Sequence, residues 1–229
     1  MKKSNLFAPA LVALALTTLA SCGGGAGSSS DSKFFGSVPG VFMQMTEKKD
    51  ALKEQFKNCS SESEAKSIME DAESAEKEYT AKIEEAAKAL DGKTIEIETN
   101  DYFRVNSPVT LTYDGFRSKS DLTPRFKLAG NIEAVQVYQS ENSKTLSGSS
   151  DVSRYVGLSE PVYLVGLDDA GNELFTSKIA YFPIGKIADT ELGIPAGTPL
   201  TFETFTITDK NAEGCAKATK LQLSYKSEK

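Results

Sequence analysis

The sequence predicts an α+β fold: an N-terminal two-helix (helical hairpin) segment followed by an antiparallel β-sandwich-like domain. Three observations carry that expectation. Residues 41–90 contain no proline or glycine and are dominated by alanine, glutamate and lysine. From Lys93 onward, apolar and polar residues alternate in short runs. Those runs are separated by Gly, Pro, Asn and Asp turns, with no helical pattern between them.

The helical stretch divides in two. Phe42, Met45, Leu52, Phe56 and Cys59 mark one face, and Ala65, Ile68, Ala72, Ala75, Tyr79, Ile83, Ala86 and Leu90 mark another that is out of phase with it. The phase changes at Asn58-Cys59-Ser60-Ser61, where Ser61 and Glu64 form a capping-box pattern that starts a new helix. Two antiparallel helices follow from this, packed on each other or on the next domain. Glu62/Lys66, Glu73/Lys77, Glu78/Lys82 and Glu84/Lys88 set acid before base four residues apart, which suits a solvated face. A partner-binding coiled coil is the competing reading, but no phase runs for four clean heptads. Asp91-Gly92 ends the helix with a glycine cap.

Strands are predicted at 95–97, 109–113, 125–128, 132–138, 154–158, 162–167, 174–182, 200–207 and 221–225. The run from Pro161 to Leu167 is apolar on both faces and reads as a central strand. Phe202 and Phe205 fall on opposite phases, the mark of a bulge. Asp168-Asp169-Ala170-Gly171-Asn172-Glu173 clusters oxygen ligands around a glycine, but the spacing fails the EF-hand pattern. It reads as a hairpin turn with Gly171 supplying a positive φ, and a sandwich-loop calcium site is the alternative.

The chain starts with Lys2 and Lys3, continues through an apolar run from Leu6 to Ala20 and reaches Leu19-Ala20-Ser21-Cys22. A basic start, a short apolar stretch and small residues form an export signal. With roughly fifteen apolar residues and Pro9 inside, the run falls short of the about 20 that span a bilayer. The tetrapeptide resembles the lipobox of bacterial lipoproteins, a resemblance confined to residues 1–22. It implies cleavage before Cys22 and a diacylglyceryl group on its thiol, with the lipid bilayer as the first partner. The expected address is the cell envelope, on a bacterial membrane and the outer membrane in first place. In some bacterial groups surface export goes with acids soon after the cysteine; here the first acid is Asp31, so the leaflet stays open.

The segments therefore read as 1–21 signal peptide, 22–40 Gly/Ser-rich linker, 41–91 helical segment and 92–229 β-sandwich-like domain. A flexible linker of that length reaches about 25 Å. Loss of the leader removes Lys2 and Lys3 and leaves 24 basic and 32 acidic side chains, net −8. That balance disfavours nucleic acid and anionic headgroups. With Cys22 taken by lipid, Cys59 and Cys215 remain. Either they pair in an exported protein, closing a loop of about 155 residues worth roughly 4–5 kcal/mol, or they are two separate thiols.

The chain has no histidine, which removes His-based triads and the commonest ligand of catalytic zinc. Ser63-Glu64-Ala65-Lys66 and Ser74-Ala75-Glu76-Lys77 match S-x-x-K without the companion motifs of serine penicillin-binding enzymes. Gly92-Lys93-Thr94 ends like a Walker A loop but lacks its first glycine. Glu96 and Glu98 share a strand face, which more often means solvent than a glycosidase pair. Arg117, Lys119, Arg125 and Lys127 form a small basic cluster among acids. Tyr102-Phe103, Tyr113, Phe116, Tyr155, Tyr181-Phe182 and Tyr225 could stack on sugar rings or fill the core. No catalytic, cofactor-binding or metal-binding residue is assigned. The expectation is a non-enzymatic binding or assembly module with an envelope protein partner, and a binder of carbohydrate or another extracellular ligand is the alternative.

Overall fold

The computed structural model describes residues 31–148 and 158–225. The lipobox and its Cys22, the apolar leader, Arg154 and Tyr155 lie outside the described residues. No described helix is long and apolar enough to cross a membrane.

Two helices come first, α1 (Val38–Asn58) and α2 (Glu62–Lys88). Helix α1 begins three residues earlier than expected, because Pro39 sits in the first turn, where its missing N–H is no loss. Between the helices, Ser61 Oγ accepts from the Glu64 amide at 3.1 Å. The Glu64 carboxylate reaches back to the Ser60 amide at 2.9 Å, one residue beyond an ideal capping box.

Ten strands and two short helices are described after them: β1 (Thr94–Ile95), β2 (Phe103–Phe116), β3 (Pro124–Ala134), α3 (Glu141–Leu146), β4 (Ser159–Leu167), β5 (Glu173–Pro183), β6 (Gly185–Ala188), β7 (Glu191–Gly193), β8 (Thr201–Phe202), β9 (Thr204–Thr206), α4 (Ala212–Lys217) and β10 (Lys220–Ser224). One sheet has the order β1-β2-β3-β9, the other β10-β4-β5-β8, and β6 pairs with β7 apart from both. Pairing within each sheet is antiparallel, as expected for a sandwich.

Both sides of the sandwich are closed by chain that changes sheets. After β1 the backbone crosses over, and Glu98 bridges Gln222 of β10 in parallel. On the far side, Phe202 pairs with Ala180 in one sheet and Phe205 with Phe126 in the other. The opposite phases of these two phenylalanines thus mark a sheet switch, with the Glu203 amide donating to Ile179 O at 2.6 Å at the corner.

Strand β3 runs through Ala129-Gly130-Asn131, where the sequence predicts a break between two strands. Gly130 is kept by crowding: a Cβ there would lie 2.9 Å from Val109 Cγ2. The short helices α3 and α4 correct the expectation of strands with nothing helical between them, and the β6–β7 ribbon falls where no strand is predicted. Six residues make less than two turns, too few for a periodicity to register.

One hydrophobic cluster joins the two sheets to the helices. Leu111, Phe126 and Leu128 meet Val162, Leu164 and Ile179, and the same cluster takes in Phe42, Met45, Ile83, Ala87 and Leu90. The boundary at 91/92 is therefore a change of secondary structure and not a gap between cores.

The linker expectation at 22–40 is corrected in its second half. Phe34 and Phe35 are buried, as are Val38, Pro39 and Gly40. Ser32 and Gly36 bond to each other in both directions, with Gly36 at φ +55°, and Ser32 Oγ donates to Cys215 O at 2.7 Å. Two adjacent phenylalanines outweigh the polar composition around them, since each large ring removes far more apolar surface from water than its serine neighbours expose.

The pairing of Cys59 with Cys215 is also corrected, for both thiols are free. Thr46 Oγ1 bonds Asp209 Oδ1 at 3.0 Å, which places the middle of α1 beside the start of α4. Cys59 lies thirteen residues further along α1, about 20 Å at 1.5 Å per residue, while a disulfide needs Cα atoms within about 7 Å. Burial pushes the Cys215 thiol well above its ordinary value. Iodoacetamide is therefore expected to modify Cys59 in the native protein and Cys215 only after unfolding, as read by peptide mass spectrometry. Protection of Cys59 in the native protein under non-reducing conditions, relieved by reductant, would restore the disulfide.

Candidate functional site

The two helices are rooted in the core but outgrow it. Phe42, Met45, Ile83, Ala87 and Leu90 belong to the main cluster. Leu52 and Ile68 are buried without being part of it, so the distal half of the hairpin packs on itself. Phe56, one turn nearer the tip than Leu52, is 47% exposed, and Met69, next to Ile68 on the side away from the tip, is 45% exposed. Phe56 continues the stripe of Phe42, Met45 and Leu52. At its level the returning chain, Ser61 to Ala65, offers only Ala65 as an apolar partner.

Charge on this arm is unevenly shared. Helix α2 carries Glu62, Glu64, Glu70, Asp71, Glu73, Glu76, Glu78, Glu84 and Glu85 against four lysines. Of the expected acid-before-base pairs, Glu78–Lys82 forms a bridge, whereas Lys66 turns to Glu70. Ser63, Ser74, Lys66 and Lys77 of the S-x-x-K matches are all exposed.

The aromatic residues gather at one end of the sandwich. Phe103, Phe182 and Tyr225 are buried, with the first two stacked at 5.9 Å. Tyr138 lies flat on Tyr225, ring centres 3.7 Å apart. Tyr102 stands edge-on to both and is exposed. Tyr113, Phe116 and Tyr181 are half-buried elsewhere. Most of the rings proposed for stacking on sugar thus serve the core. Tyr138 is not among them, although it closes the predicted strand 132–138.

Glu160 is the functional-looking residue that sequence reasoning missed. It shares inward parity on β4 with Val162 and Leu164 and is only 8% exposed. Burial raises its carboxyl above the usual range, and a hydrogen bond from Ser140, the N-cap of α3, partly offsets this. The rings of Tyr138 and Tyr225 lie close enough that its charge helps push both hydroxyls up, after burial as the main cause. The Tyr225 hydroxyl has no hydrogen-bond partner among the described residues. A carboxyl raised in the folded state stabilises fully below its unfolded pKa of about 4.3, and that contribution is lost as pH climbs through the folded value. Glu160→Gln is therefore expected to stabilise the protein at pH 7 and raise its Tm, with the gain vanishing below about pH 4. Calorimetry from pH 3.5 to 8 checks it; a gain independent of pH would assign the effect to packing.

Two shallow grooves border the strand that changes sheets. One, of about 400 Å³, is lined by Lys33, Phe34, Glu96, Glu98, Asp169 and Lys220 among others. The second, of about 450 Å³, lies between residues 94–99 and 105–108. Glu96 and Glu98 are exposed, and Glu98 accepts from Gln222 Nε2 at 3.1 Å, so they form one side of an open, mixed-charge groove.

Of the basic cluster, Arg125 and Lys127 both bridge to Asp114, at 2.8 and 2.7 Å, and Arg117 reaches Asp121 at 3.6 Å. Lys127 chiefly, with Arg125, holds the Asp114 carboxyl below its usual range. The Asp168 turn joins β4 to β5 with Gly171 at φ +85°. Both Asp168 oxygens accept from Asn172, one from its amide and one from its side chain, each at 2.8 Å. Among the described residues no group of three or more acids or cysteines converges as a metal site would.

Comparison with protein-family models, with curated proteins and with solved structures finds no match for this chain.

Proposed function

We propose that this chain is a cell-envelope lipoprotein, acylated at Cys22 and held on a bacterial outer membrane, that works as a non-enzymatic binding or assembly module. Its working element is the helical arm, which engages a protein partner of the envelope. The observation that carries this reading is the distal half of the hairpin, which packs outside the main core and exposes Phe56 and Met69.

The test is a shortened arm. Replacing residues 50–71 by a Gly/Ser turn spares Phe42, Met45, Ile83, Ala87 and Leu90, so the sandwich keeps its roof. Cross-linking in intact cells should capture a partner with the full chain and lose it with the short arm, at unchanged Cys215 protection. Capture of the same partners by both forms would sink the reading. A carbohydrate or other extracellular ligand is the alternative, supported by Tyr102, exposed at the rim of the aromatic cluster. A flat glycan-array response of the Cys22→Ser mature chain would remove it.

A further inference from the structure

The fold fixes which end of the molecule a lipid at Cys22 would hold near the bilayer. Ser32 is tied to the fold by its bond to Cys215 O and by the buried Phe34 and Phe35 that follow it. Whatever path residues 23–31 take, ten residue steps span at most about 35 Å. The attachment point sits at the C-terminal part of α4, beside Lys217 and the groove lined by Lys33, Phe34 and Lys220.

Helix α1 leads away from that point. Val38 follows Ser32 closely, Thr46 stands beside Asp209 at the other end of α4, and Ser60 lies about 20 Å further on at 1.5 Å per residue. The tether and the arm tip are therefore opposite poles along α1, separated by roughly 30 Å. The tethered end has no basic surplus, since Lys33, Lys93, Lys217 and Lys220 stand among Asp31, Glu96, Glu98, Asp169 and Glu213. Adsorption to anionic headgroups does not compete with the leash in setting the orientation.

We infer that the bilayer faces the Ser32–α4 end of the sandwich, and that the arm tip bearing Phe56 points away from the lipid. This rests on acylation of Cys22. Ten residues of Gly/Ser-rich composition reach about 17 Å on average, well short of the roughly 30 Å to the arm tip, so the α4 end and its groove lie next to the headgroups and the arm away from them.

The test uses the mature acylated chain in neutral phosphatidylcholine vesicles with acceptor-labelled headgroups. A donor dye is placed at Lys217→Cys or at Ser60→Cys, each in a Cys59→Ser background; Cys215 is buried and stays unlabelled. Energy transfer should be about threefold or more stronger from position 217 than from position 60, given the separation along α1. Inserting nine Gly/Ser residues after Gly25 should weaken transfer from position 217. Equal or reversed transfer, or no response to the longer leash, would overturn the orientation while leaving the lipoprotein reading intact. An N-terminal peptide whose mass shows unmodified Cys22 would overturn both.

Discussion

Phe35→Ala is expected to destabilise the protein by about 3–5 kcal/mol. The residue stands five positions after a Gly/Ser run, in a stretch whose composition reads as spacer. Its side chain is nonetheless fully buried, stacked on Phe205 with ring centres 5.0 Å apart and edge-on to Phe175 at 6.3 Å. Ser32 Oγ fixes the approach by accepting from the amides of Phe34 and Phe35 at 3.3 and 3.2 Å. Removing the ring opens a cavity between two aromatic neighbours that cannot collapse together, because Phe205 is held in β9 and Phe175 in β5. Against a net stability of about 5–15 kcal/mol for domains generally, that is a fifth or more of the total. Urea denaturation should show a lower midpoint with an unchanged slope. Asp31→Ala, an exposed neighbour, should stay within about 0.5 kcal/mol of the parent. A Phe35→Ala midpoint equal to that of Asp31→Ala would mean that the segment is spacer after all.

The same residues show where sequence reasoning succeeds and where it fails. The hairpin was legible because its two stripes are long, and the phase break coincides with a capping signal at Ser61 and Glu64 that the structure uses. The turn at Gly171 was legible because apolar strands flank it on both sides. Phe34 and Phe35 were hidden because a window of serine and glycine around them averages to polar, while burial is decided by the two rings. Glu160 was hidden for the opposite reason. An acid at the start of an apolar strand reads as its exposed end, and only the parity shared with Val162 and Leu164 reveals that it points inward. The disulfide failed on a distance that sequence separation does not encode. The exposed tip at Phe56 follows from a stripe that runs on after its partner helix has run out of apolar residues.

Gly166→Ala should cost about 1–3 kcal/mol, toward the upper end, through steric conflict alone. Gly166 is not in the left-handed region, so its backbone makes no special demand for glycine. The demand comes from across the ladder. Gly166 pairs with Phe175, whose ring lies over it so closely that a Cβ would fall 2.0 Å from Cε1 and 2.4 Å from Cδ1. The ring has little room to retreat. Phe35 and Phe205 each face it with ring centres at 6.3 Å, and α4 closes in from Gly214, where a Cβ would meet Phe175 Cβ at 2.8 Å and Leu174 O at 2.5 Å. A methyl group at 166 therefore pushes on the same aromatic cluster that anchors the start of the fold. If the ring is the obstacle, Phe175→Leu should relieve it, because the smaller side chain leaves the space over position 166. The double variant should then be more stable than the sum of the single effects by about 0.5–3 kcal/mol. Strict additivity in that cycle would show that Phe175 moves freely on addition of the methyl, and that the glycine is required by something other than the ring.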